Sequence, residues 1–137
     1  MAIMENVDLR VRLAVLWILM AVAGSIAVLL SMMEEGFIED VIAGEIEEMT
    51  PTAWTYAMGI PFFLLLVMAF LSVTLKDSTN RRVNIVAGLG FAIVFTMTEM
   101  ERLAGGHVGG DRLFGIPVIL GAILIFWYAW KWPKPAV

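Results

Sequence analysis

Four stretches without a single charge constrain this chain more than anything else in it. Leu13–Met33 runs for 21 residues, Ala53–Leu75 for 23, Val83–Thr98 for 16 and Leu113–Trp130 for 18. A bilayer core of roughly 30 Å is crossed by about 20 helical residues. Each run is therefore long enough to span, the third once its helix continues through Arg102. In hydrocarbon the backbone must satisfy its own hydrogen bonds, and a helix does so within one segment. The runs also explain why 61% of the 137 residues are hydrophobic, above the apolar share of a water-soluble domain. The expected fold is all-α: an integral membrane four-helix bundle, up-down-up-down, in a single membrane domain over 1–137. Its spans are expected at about 13–33, 53–75, 83–102 and 113–130.

The first run has some parts of a cleaved signal. Arg10 and Arg12 precede it, and Ala21–Gly24 resembles a small-residue cleavage site. The apolar stretch nevertheless continues through Ile26–Met33, which favours a retained span.

Charges segregate by side. Arg10, Arg12, Lys76, Arg81, Arg82, Lys131 and Lys134 fall on one side, and only Arg102 and Arg112 on the other. Seven basic residues against two in short loops place the first side in the cytoplasm. The acids run the opposite way. Glu5, Asp8 and Asp77 are inside and the other ten outside, so the faces carry 7 − 3 = +4 and 2 − 10 = −8. The expectation is a multi-pass protein of a prokaryotic cytoplasmic membrane with both termini inside. Trp54 marks the outer interface, with Tyr56 near it. Trp127, Tyr128, Trp130 and Trp132 mark the inner one, since amphipathic rings favour the headgroup level.

Glu34 to Thr52 is the long connection, with seven acids and no base. Phe37, Ile38, Val41 and Ile42 recur at helical spacing, which predicts a short amphipathic helix over about 37–43 on the outer surface, ended by Gly44. Thr50 is placed to cap the second span, with Pro51 at its first position. "KDSTNRR" reads as a tight loop, so the second and third spans are expected to be antiparallel neighbours. Gly59-Ile60-Pro61 recurs as Gly115-Ile116-Pro117, and Pro61 and Pro117 are candidate helix kinks, since each removes a backbone hydrogen bond.

The third run holds the candidate site. Asn84, Gly88, Ala92, Thr96 and Glu99 are spaced four, four, four and three apart, along one helix face. Small residues let helices approach and polar ones find partners inside a bundle. Ala21, Gly24, Ser25 and Ser31 form a similar set in the first run, so these two helices are expected to pack together. Glu99 has two readings. The first is an interfacial glutamate reaching water beside Arg102 at i,i+3. The second is a carboxylate at the floor of an outward pocket, near Tyr56, since intramembrane acids are candidates for function.

Other chemistry is poorly supported. There is no cysteine and one histidine, His107, which argues against a thiol or histidine-rich metal site. Six outer methionines are the residue type that suits copper(I), but methionine also fills apolar gaps. "GGHVGGD" lacks the lysine and the strand-to-helix setting of a phosphate cradle. The acidic connection lacks the spacing of a calcium loop. Sparse basic residues flanking spans argue against nucleic acid as a partner. No metal and no cofactor is expected. The expected partners are the lipid bilayer and either a second copy or a membrane partner protein.

"VRLAVLW", the Ile60-Pro61 pair, "NRRVNIVAG" and "WYAWKW" together resemble a prokaryotic family of small four-span membrane proteins of unknown function. The resemblance implies four helices and no particular activity. Its relatives often carry an acid before the Ile-Pro pair and a polar or acidic position in the first span. Here Gly59 stands at the one, and the first span has no acid. In architecture alone the chain is similar to DoxX-like proteins, some linked to quinones or redox partners. The function expected is binding of a lipid, a small apolar molecule or a partner helix through the inward stripe. The alternative is a membrane enzyme or redox accessory subunit with a pocket near Glu99.

Overall fold

A computed structural model describes residues 2–45, 50–106, 109 and 112–132, with the side chains of 2–6 left aside. His107, Met49, Lys134 and most of the glycine-rich stretch lie outside the described residues. The described chain is all helical: α1 (Ala2–Ser31), α2 (Phe37–Ala43), α3 (Pro51–Thr74), α4 (Asp77–Ala104) and α5 (Arg112–Lys131). Four of these, all but α2, are long and apolar enough to cross a membrane. At 1.5 Å per residue, the 30 residues of α1 and the 28 of α4 exceed a core of roughly 30 Å, so both extend beyond their apolar runs.

Local chemistry sets several of the ends. Gly44 closes α2 in the left-handed region, at φ 73°, where a side chain would be strained. Thr50 caps α3 by accepting from the Ala53 N–H at 3.2 Å, and Pro51 occupies the first helical position, where its missing N–H costs nothing. The stretch "KDSTNRR" is not a loop. Leu75 and Lys76 alone make the turn, and α4 starts at Asp77. Asp77 in the first turn suits the positive end of the helix dipole, and nothing between it and Arg82 breaks a helix.

α1 packs on α3 and α5, and α5 packs also on α4. The core is built from Leu13, Trp17 and Met20 of α1, Leu65 of α3, and Ala122 and Ile125 of α5. Two expectations need correction. The second and third spans, α3 and α4, are not packed side by side along their length and meet sparsely. Their connection is tight enough to join their ends, but α1 supplies the large core side chains, so α3 pairs with α1 and α4 with α5. The small residues of the first and third runs also do not face one another. A Cβ on Gly24 would strike the Phe62 ring of α3, and one on Gly88 would lie 2.9 Å from the Phe126 backbone nitrogen of α5. Glycine marks a close approach here without saying which helix approaches.

Proline sits inside both α3 and α5, at Pro61 and Pro117, and each helix continues through it.

Candidate functional site

One end of the molecule is organised by buried polar groups. Asn84 projects from α4 into the interior and is fully buried. Its Oδ1 accepts from the Trp17 indole N–H of α1 at 2.7 Å. The Ser72 hydroxyl of α3 lies 3.1 Å from the same oxygen and 2.8 Å from Met68 O, with one proton to share between them. The Asn84 amide donates to Asn80 O at 3.0 Å and to Asn80 Oδ1 at 2.6 Å. Asn80, one helical turn earlier, donates to Ser72 O at 2.6 Å. Three helices thus share one network, and both Asn84 amide protons and its oxygen are used. A buried polar group costs free energy unless paired, so this closure lets four polar side chains sit in an apolar core.

The rim of this end carries charges. Arg10 donates to Asp77 Oδ1 from Nε at 3.0 Å and from a terminal nitrogen at 2.6 Å, and reaches Val73 O at 3.3 Å. Arg81 donates to Ala129 O and Trp130 O, covering carbonyls that the last turn of α5 leaves open. Arg12 pairs with Asp8 on its own helix at 2.6 Å.

The opposite end is looser. Glu99 is 22% exposed, and its Oε1 is 3.6 Å from an Arg102 nitrogen, an ion pair without hydrogen-bond distance. The carboxylate rests against Gly115, where a Cβ would lie 2.8 Å from it. Arg112 donates to Arg102 O at 3.2 Å, while its Nε is buried with no hydrogen-bond partner among the described residues. Phe37 of α2 meets Trp54 of α3 edge to face, with ring centroids 5.8 Å apart. Among the described residues no group of acids or histidines is arranged to hold a metal.

The candidate stripe is divided between these environments. Asn84 belongs to the network and Gly88 to the α4–α5 contact. Ala92 is half-buried, Thr96 is exposed, and Glu99 lies against α5. Tyr56 is exposed on α3. Of the aromatic candidates, Trp127 and Trp130 are exposed and Tyr128 is half-buried. The Lys131 ammonium lies 4.2 Å above the Trp127 ring. Trp132, also expected among the interface rings, is 3% exposed, and its N–H has no partner among the described residues.

Sequence reasoning singled out Asn84 and missed Trp17, Ser72 and Asn80. Asn80 carried a usable signal: it lies one turn before Asn84 on the same face, within a charged stretch read as a loop.

A further feature lies on the outside of the helix bundle. An apolar furrow separates α1 from α5, walled by Leu16, Leu19 and Val22 on one side and Pro117, Leu120 and Leu124 on the other. Gly121 allows the helices to close beneath it, since a Cβ there would meet the Met20 side chain. Comparison with known families, with characterised proteins and with solved structures gives no match. What is established is a small all-α protein whose four apolar helices fit a multi-pass membrane protein.

Proposed function

We infer that this is a multi-pass membrane protein whose helices cross in alternating directions, and that it binds a lipid, a small apolar molecule or a partner helix. The observation that carries the binding reading is the furrow between α1 and α5. It is apolar along its walls and opens on the side where these helices would meet lipid. The Asn84 end of the stripe is less suited to a ligand, because its polar atoms already serve one another. The basic count supports an orientation with the Arg10–Asp77 end in the cytoplasm and α2 at the outer surface.

A second reading, an outward pocket serving a membrane enzyme or redox accessory subunit, draws on the half-buried Glu99 carboxylate. The nearby Arg102 and the Gly115 backbone favour the plainer role of joining α4 to α5.

Two experiments test these inferences. Single cysteines at Glu45 and Ser78 are challenged in intact cells with a membrane-impermeant thiol reagent. Labelling at Glu45 alone supports the orientation, and the reverse pattern refutes it. Purification from native membranes followed by mass spectrometry of retained molecules tests binding. A chain that retains neither a small molecule nor a partner protein contradicts it.

A further inference from the structure

We propose that the furrow between α1 and α5 holds one acyl chain of an anionic phospholipid from the leaflet at the basic end, with its phosphate bound by Arg12 and Lys131. This rests on the membrane-binding reading above and names its ligand and site.

The two walls have matching patterns. On α1, Arg12, Leu16, Leu19, Ala23 and Ile26 are spaced four, three, four and three apart. On α5, Pro117, Gly121, Leu124, Tyr128 and Lys131 are spaced four, three, four and three. Such spacing keeps side chains on one helix face. The apolar members of both series line the furrow, and both series turn polar at the same end. Arg12 is one turn beyond Leu16, and Tyr128 and Lys131 are one and two turns beyond Leu124. The two polar ends lie together, since Tyr128 packs against the core cluster to which Leu13 and Trp17 of α1 belong.

Dimensions and charge select the occupant. From Leu16 to Ile26 the furrow covers ten residue steps, about 15 Å along a helix. That is half of a bilayer core of roughly 30 Å, the depth of one leaflet. A partner helix crossing the whole bilayer would need a longer track and would have to cover two cations. A neutral apolar molecule would leave the cations unused. A phospholipid matches both parts, with its chain in the furrow and its phosphate at the guanidinium and ammonium. The Tyr128 hydroxyl adds a donor. Basic sites between transmembrane helices on the cytoplasmic side have this chemistry. The Arg12 side chain is 55% exposed and meets Asp8 through one terminal nitrogen, so a phosphate can reach the guanidinium from solvent.

The test is native mass spectrometry of the full chain in detergent, titrated with phosphatidylglycerol and phosphatidylcholine of identical acyl chains. Phosphatidylglycerol should bind more tightly. Arg12→Gln and Lys131→Gln should each weaken it about five-fold, from the ~1 kcal/mol carried by a basic residue at a membrane surface, and weaken phosphatidylcholine less, because its choline cation offsets the attraction of the phosphate to the two basic groups. Asp8→Asn should strengthen phosphatidylglycerol binding, the opposite of what loss of a merely structural ion pair would do. Val22→Trp fills the furrow from an exposed position and should weaken both lipids. Equal binding of both lipids, unaffected by Arg12→Gln, would overturn the proposal and leave a binder of neutral apolar molecules. A dimer abolished by Val22→Trp would put a helix in the furrow, also overturning it. Retention of neither lipid, with no partner, would remove the proposed function as well.

Discussion

The two ends of the molecule use polar side chains in different ways. At the Arg10–Asp77 end, Trp17, Ser72, Asn80 and Asn84 form a buried network from three helices, with heavy-atom distances of 2.6–3.1 Å. At the other end, Glu99 and Arg102 come from one helix and stand 3.6 Å apart, both partly exposed. The difference teaches that polarity inside an apolar bundle stabilises when every donor and acceptor is paired across elements. A carboxylate near a helix end can reach water and contributes little.

The largest effect is expected between the two ends, on the seam they share. Gly88→Leu places a side chain against the Phe126 backbone, which cannot withdraw as a flexible side chain could. It should cost about 3 kcal/mol, the upper part of the overpacking range, in equilibrium unfolding from mixed micelles. Gly90→Leu on the same helix meets open space and serves as the control. If both substitutions cost the same, the α4–α5 seam is misplaced.

Asn84→Leu comes next. It removes the centre of the network and leaves the Trp17 N–H unpaired in the core, at a cost of about 2 kcal/mol. Unchanged stability would mean that the two ends do not differ as described.

Arg10→Gln should cost less, under about 1 kcal/mol, because the Arg10–Asp77 pair is part-exposed and solvent screens it. Thermal unfolding at low and high salt checks this, with the gap to the parent narrowing as salt rises.

Glu99→Gln should have the smallest effect, about 0.5 kcal/mol or less, since its ion pair is long and partly exposed. A loss as large as that of Asn84→Leu, read in the same unfolding experiment, would erase the contrast between the ends.

The apolar helices were legible because a charge-free run is a property of the sequence alone. The first two turns of α4 were not. Lys76 to Arg82 reads as a loop by polarity, yet Asn80 faces the core and only its neighbours face outward. Helix partners were also hidden. Gly88 announces a close contact, but whether α1 or α5 makes it depends on which helix carries the bulky core, and Leu13, Trp17 and Met20 give that place to α1. Asn84 was visible as a polar residue in an apolar run. Its partner Trp17 was not, because an indole in such a run reads as apolar bulk and its one donor shows only when an acceptor is placed against it. The furrow was illegible for the same reason: neither of its walls is unusual until the two helices are side by side.

The central claim is that the basic end is held together by pairing across helices. A double-mutant cycle on Trp17→Phe and Asn84→Leu tests it most directly, by equilibrium unfolding of the four proteins under one condition. The account predicts that the two substitutions are not additive. The double variant should be more stable than the sum of the single losses implies, by about 1 kcal/mol, because the second substitution removes a partner already lost. Additive losses, with a coupling near zero, would contradict the claim and leave Asn84 as a buried side chain that α1 does not need.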